Sequence, residues 1–241
     1  MHFYKNKTVW IIGGTSGIGL AIAQKLSSVK DCSVIISGRD TSKAGEINAR
    51  KIPLDVVDRQ SFTDAVENIL ALHAKVDIIL LCSGTYEPMN LDNFNPELAL
   101  NVLNTNLGSI VNFVQNLPKF YGKCGTIGIV SSVAAYFGMP NSLFYGASKA
   151  GLSHLVESLY IELKKHKIDV KIINPGFVKT PLTDKNSFKM PFIISPEKAA
   201  EIILKKLPKS NFEIAFPFAF VAILKMLKII PFRIRAALFK S

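Results

Sequence analysis

The chain has little cysteine, little histidine and few acids. Its three cysteines, Cys32, Cys82 and Cys124, show no metal spacing. An odd, sparse set suits buried thiols in a reducing cytosol rather than a disulfide framework. The four histidines, His2, His73, His154 and His166, pair with no serine or carboxylate at a telling spacing. They read as structural or surface residues, and the sequence suggests no zinc or other metal cluster. Nothing resembles a signal peptide, because Met1 to Lys7 is short and polar and Thr8–Ile12 already reads as a buried strand. These features point to a cytoplasmic protein. No repeat, low-complexity tract or interdomain linker appears. The 18 acids are outnumbered by 29 lysines and arginines, a net charge of +11. That excess serves solubility, an anionic ligand or an anionic membrane surface. Nucleic acid is an unpromising partner, since no binding module and no basic stripe interleaved with aromatics is present.

What is present is a rhythm. Thr8–Ile12, Ser33–Ser37, Ile52–Leu54, Val76–Leu81, Thr126–Ser131 and Val170–Ile173 read as strands. They are nearly all apolar rather than alternating, as strands covered on both faces are. Helical stretches near 18–29, 60–73, 96–117 and 144–166 separate them. The βαβ alternation predicts an α/β fold, a doubly wound parallel sheet in a single domain over 1–211, with a tail over 212–241.

The first strand runs into Gly13-Gly-Thr-Ser-Gly-Ile-Gly19, which opens the first helix. Glycines at 14, 17 and 19 permit a tight turn, close backbone approach to a pyrophosphate and tight helix packing. Unpaired N–H groups at the helix start suit phosphate oxygens. Gly13, Gly14, Thr15, Ser16, Gly17, Ile18 and Gly19 are therefore candidate cofactor contacts. After the second strand, Gly38 leaves room and Arg39 could form a bidentate pair with a 2′-phosphate, which favours NADP(H) over NAD(H). Asp55, after the third strand, suits either an adenine amino group or a turn.

Tyr145 and Lys149 stand four residues apart in a helical stretch, so they share a face. A phenol titrates near ~10 in water, and a neighbouring ammonium would lower that value. The pair is a way to make tyrosine a general acid/base. Ser132 lies thirteen residues before Tyr145.

Together these residues resemble the classical short-chain dehydrogenase/reductase family, whose Rossmann fold would cover roughly residues 7–205. The glycine turn is similar to the family's Thr-Gly-x-x-x-Gly-x-Gly, with Gly13 in place of the threonine. Asn106, Ser132, Tyr145 and Lys149 match its catalytic tetrad. Asn174-Pro-Gly-Phe-Val-Lys-Thr180 resembles the Pro-Gly segment beside the nicotinamide, which implies cofactor contacts at Pro175, Gly176, Val178 and Thr180. The family's Asn-Asn-Ala-Gly appears here as Leu81-Cys-Ser-Gly84. Leucine and cysteine cannot supply the amide hydrogen bonds, which leaves the backbone of Ser83 and Gly84 for the cofactor side.

The resemblance implies hydride transfer between NADP(H) and a small-molecule carbonyl or alcohol. Tyr145 would donate the proton and Ser132 would orient the oxygen. Lys149 would lower the tyrosine pKa and grip the nicotinamide ribose, and Asn106 would hold a water leading to solvent. It also implies a homodimer or homotetramer. The contrasting class is a non-catalytic, nucleotide-binding regulatory protein of the same fold.

Two late segments add to this. Residues 180–194 read as a substrate lid, with a helix then begun by Ser195-Pro-Glu197. Ile214 to Leu224 is an apolar run of eleven, too short for the ~20 residues that span a bilayer. Phe220, Ile223, Leu224, Leu227 and Ile230 fall on one helical face, with Lys225, Lys228, Arg233, Arg235 and Lys240 elsewhere. The tail could rest on a membrane, close a pocket for an apolar, lipid-like substrate, or pack on its own core or a partner subunit.

Overall fold

Strands that are apolar on both faces must be covered on both faces, and helices do so here. The structure, a computed structural model, describes residues 1–239. Lys240 and Ser241, the end of the basic tail read from sequence, lie outside the described residues. Seven strands form one sheet: β1 (Thr8–Ile12), β2 (Ser33–Gly38), β3 (Arg50–Pro53), β4 (Ile78–Leu81), β5 (Thr126–Val130), β6 (Asp169–Pro175) and β7 (Glu213–Phe216). Their order is β3-β2-β1-β4-β5-β6-β7, and every pairing is parallel. The helices are α1 (Gly17–Ser27), α2 (Arg59–Leu72), α3 (Pro96–Leu103), α4 (Ser109–Asn116), α5 (Leu143–Leu163), α6 (Pro196–Lys206), α7 (Phe218–Ile229) and α8 (Phe232–Ala237).

The alternation of side chains along β1 divides the core. Trp10 and Ile12 join Phe62, Val66, Phe113 and Val156 of α2, α4 and α5. Val9 and Ile11 join Ile22, Leu26, Ile203 and Leu204 of α1 and α6. The indole Nε1 of Trp10 donates to Ser37 Oγ at 2.9 Å, so its one polar atom is satisfied inside the core. The predicted Ser195 cap is present, its hydroxyl accepting from Lys198 N–H at 3.2 Å, and Asp58 and Asn95 cap α2 and α3 in the same way.

Four expectations change. The single helix expected over 96–117 is two helices joined by a π turn at Asn104–Gly108. Residues 213–216, read as the start of an apolar tail, are the seventh strand of the sheet. They alternate half-buried and buried, and Pro217 then begins a separate helix. On α7 the packed residues are Val221 and Leu224, with Phe220 and Leu227 against them, whereas Ile223, assigned from sequence to the packed face, is exposed. Of the histidines, His73 lies at the end of α2 rather than within it.

The strand order reverses direction between β1 and β4. In an open parallel sheet, that reversal leaves a crevice at the carboxyl ends of the strands, where ligands bind.

Candidate active site

The crevice is a cavity of about 370 Å³ lined by the turns after β1, β2, β4, β5 and β6. It collects Gly13, Thr15, Ser16, Gly17, Ile18, Arg39, Asp55, Ser83, Gly84, Ser132, Tyr145, Lys149, Pro175, Gly176, Val178 and Thr180. Three further residues of the expected site lie behind its wall: Gly14, Gly19 and Asn106. The two glycines are there for packing. A Cβ on Gly19 would sit 2.1 Å from the Gly13 carbonyl oxygen, and one on Gly14 would sit 2.9 Å from the Ile36 side chain.

The turn at the start of α1 suits an anion. Gly13 and Gly17 have φ of +82° and +53°, which L-residues rarely adopt. Ser16 precedes the helix without a side-chain capping bond, so the first N–H groups of α1 are left to the cavity. Gly38 abuts this turn: a Cβ there would meet the Thr15 side chain at 2.9 Å. The exposed Arg39 comes next, at the cavity edge. Asp55 lines the cavity, and one of its carboxylate oxygens accepts from Val57 N–H at 3.2 Å, as a turn residue does.

Lys149, one turn after Tyr145 on α5, is buried, and its ammonium donates to the Val130 carbonyl at 3.1 Å. Burial pulls its pKa down to about 8, with the Cys82 thiol acting in the opposite sense. The lowered tyrosine pKa expected from the sequence is not found. Burial pushes the Tyr145 phenol above its usual value, and only its hydrogen bond with Ser132 works against that. The ammonium stands 5.9 Å from the tyrosine ring centroid, and its hydrogen bond goes to β5 rather than to the phenol. The Ser132 hydroxyl accepts from Ala134 N–H at 3.1 Å, and its proton is directed at the Tyr145 phenol oxygen.

Asn106 sits in the π turn and clamps the loop after β4. Its Oδ1 accepts from Thr85 N–H at 2.8 Å. Its Nδ2 donates to Thr85 O at 2.9 Å and to Ser148 Oγ at 3.0 Å. Both amide protons are therefore engaged, and the water-holding role implied by the resemblance has no free side-chain donor here. At the end of β4 the tie to β1 is made by backbone: Cys82 N–H donates to Ile12 O at 2.7 Å.

Several contributors escape a reading of the sequence. Tyr86 packs edge-on against Tyr145 with centroids 4.9 Å apart and donates to Asn186 Oδ1, in the segment over 180–194, at 2.8 Å. Phe177 stacks on Phe220 at 5.5 Å and meets Phe188 edge-on at 5.8 Å, and all three line the cavity. Gly176 makes room for this wall, since a Cβ there would strike the Phe220 ring at 2.8 Å. The apolar content of the lid and tail signals such a wall, but which rings meet depends on the fold. Among the described residues, no group of three or more His, Cys, Asp or Glu is placed to hold a metal.

The chain is similar to known proteins. A family model described as short chain dehydrogenase matches residues 7–190. An uncharacterized oxidoreductase of Myxococcus xanthus is 28% identical, covering 93% of each chain. The 3-oxoacyl-(acyl-carrier-protein) reductase FabG of Thermotoga maritima is 30% identical, covering 86% of this chain and 85% of its own. Among solved structures, a short chain dehydrogenase from Burkholderia cenocepacia in complex with NADP matches with a TM-score of 0.87. It is 18% identical, covers 98% of this chain and 100% of its own, and is a likeness of fold.

The Asn106 clamp yields a direct test. Asn106→Ala leaves the Thr85 N–H and carbonyl unpaired, which should cost about 1–3 kcal/mol. Denaturant unfolding should show that loss, and a midpoint equal to wild type would contradict the clamp.

Proposed function

We propose that this chain, which belongs to the short chain dehydrogenase family of oxidoreductases, is an NADP(H)-dependent carbonyl reductase for an apolar substrate. One observation carries the reading: Ser132, Tyr145 and Lys149 line the same cavity as the α1 glycine turn and Arg39. A bound nicotinamide supplies the hydride. Everything else falls to the chain.

The open N–H groups of α1 hold the pyrophosphate. Arg39, with Gly38 beside it leaving space, recognises a 2′-phosphate by a charge-assisted fork. The buried Lys149 ammonium binds ribose hydroxyls and places positive charge near the tyrosine. Tyr145 donates its proton to the substrate carbonyl oxygen. Its raised pKa keeps it protonated through neutral pH, the form that reduction needs. With substrate bound, Ser132 turns its proton from the phenol to the same oxygen, which holds that oxygen in line and stabilises its developing charge. Asn106 acts as a positioning residue.

The wall indicates the substrate class. Val133, Met139, Phe177, Phe188 and Phe220 line the cavity, an apolar surface suited to a hydrocarbon chain beside a reducible carbonyl. A 3-oxoacyl group, the substrate named for the Thermotoga maritima relative, is a member of that class.

Three measurements test this reading. Tyr145→Phe should lower NADPH-dependent ketone reduction by roughly 10²–10⁴-fold, with NADPH affinity by calorimetry essentially unchanged; undiminished turnover would sink the assignment. Arg39→Ala should weaken NADPH binding by about 10–100-fold, the equivalent of a charge-assisted contact worth about 1.5–3 kcal/mol, while NADH binding stays as in wild type. An equal loss for both cofactors would remove the 2′-phosphate role. The third concerns pH. Lys149 is cationic below its pKa of about 8 and neutral above it. So kcat/KM for NADPH, which reports the free protein, should be level below that pH and fall as pH rises through it. A profile that stays level well into the alkaline range would show that the charge on Lys149 is not required.

A further inference from the structure

We propose that α7 and α8 dock this protein on an anionic membrane surface. The α7 helix has two apolar faces. One is used by the fold: Val221 and Leu224 are buried with Phe220 and Leu227 against Val133, Tyr136, Phe137 and Met139. The other faces outward. Phe218, Met226 and Ile229 are 85%, 70% and 84% exposed, and Phe232, Ile234 and Leu238, on or next to α8, are 72%, 59% and 61% exposed. Single exposed apolar side chains are ordinary, but a succession of large ones on two adjoining helices marks an interaction surface.

The unit is held in place rather than loosely attached. The Arg235 guanidinium donates to the Lys228 carbonyl at 3.1 Å and the Leu227 carbonyl at 3.5 Å, at the end of α7. It also lies 4.7 Å from the Phe137 ring centroid. The apolar face is therefore presented in a fixed orientation, without an ordering cost on docking.

Charge selects the occupant. From Ile214 onward the sequence has five lysines and arginines and no aspartate or glutamate. Lys225 is committed to Glu213; Lys228, although exposed, reaches over the Tyr136 ring at 5.9 Å, and Arg233 is exposed beside Phe232 and Ile234. Apolar side chains flanked by cations fit an interface of acyl chains and anionic headgroups. A second copy fits poorly, because a two-fold contact would set the same cations against one another. No helix among the described residues is long and apolar enough to cross a membrane, so the contact lies on the surface. The proposal is independent of hydride transfer.

The test is co-sedimentation of the full chain with vesicles of phosphatidylcholine alone or mixed with phosphatidylglycerol. The protein should pellet several-fold more with the mixed vesicles, and high salt should release it. The double variant Phe218→Ser/Ile229→Ser should lose this binding while its thermal midpoint and NADPH affinity remain those of wild type. Lys228→Glu/Arg233→Glu should lose it with the apolar face intact. Wild-type protein left in the supernatant with mixed vesicles would overturn the proposal. So would pelleting that neither variant reduces. If sedimentation velocity shows that the serine variant dissociates an oligomer, and wild type ignores vesicles, the face belongs to a second copy and the proposal fails.

Discussion

A buried ammonium sets the terms for the centre of this molecule. Removing such a charge from water costs several kcal/mol even after relaxation, so oxygen atoms must be built around Lys149. The Val130 carbonyl at the end of β5 meets it directly. Gly84 packs closely here: a Cβ there would lie 3.2 Å from Asn106 Oδ1, a tight contact, and 3.5 Å from the ammonium. The hydroxyls of Ser131 and Ser153 both donate to the Lys149 carbonyl, at 3.1 and 2.9 Å, and fix its turn of α5. The end of β5, the loop after β4, the π turn and α5 are thus mutually positioned about one charge. The same burial that demands this scaffold brings the lysine close to titration near neutral pH.

The sheet is legible in the sequence because strands covered on both faces leave unmistakable apolar runs, and β1 matches its run to the residue. The sheet edges are less clear. The apolar pattern places the third strand from Ile52, whereas β3 starts at Arg50, since the outermost strand has solvent on one side and tolerates Arg50 and Lys51. The seventh strand merges into an apolar run that continues across Pro217, where composition alone gives no boundary between strand and helix. The four candidate catalytic residues do come together, Asn106 just behind the cavity wall. Neither the π turn that aims Asn106 nor the pairing of Tyr86 with Asn186, a hundred residues later, leaves a local sequence signal. The tyrosine pKa moves opposite to expectation for the same reason: spacing puts the lysine on the same helix face, but burial and hydrogen bonding decide the electrostatics.

The substrate side shows a division of labour between the sheet and the later part of the chain. The turns after the strands provide polar atoms at fixed points, while the aromatic part of the wall facing them is assembled from residues beyond β6. Phe177 comes just after β6, Phe188 and Phe192 belong to the lid, and Phe220 belongs to α7. Phe220 stacks on both Phe177 and Phe192. The lid and the helix therefore share a ring, and a change of volume at that ring is felt by both and by Gly176 beneath it.

Glu213 carries this coupling back to the chemistry. Its carboxylate, on β7, accepts from Tyr136 Oη at 2.5 Å and from Asn174 Nδ2 at 2.8 Å, and it pairs with Lys225 of α7. Burial alone would raise its pKa, but these three donors outweigh burial and hold it below the usual carboxylate range, so the anion persists at neutral pH. Tyr136 stands four residues after Ser132, in the segment whose first turn the Ser132 hydroxyl caps. One charged side chain thus joins the sheet edge, the α7 helix and the segment that carries Ser132. The inner face of α7 lies against the cavity, so the helix cannot tilt without straining that joint. The outer apolar face of α7 and the geometry of the cavity are linked through ordinary hydrogen bonds, with no separate moving part.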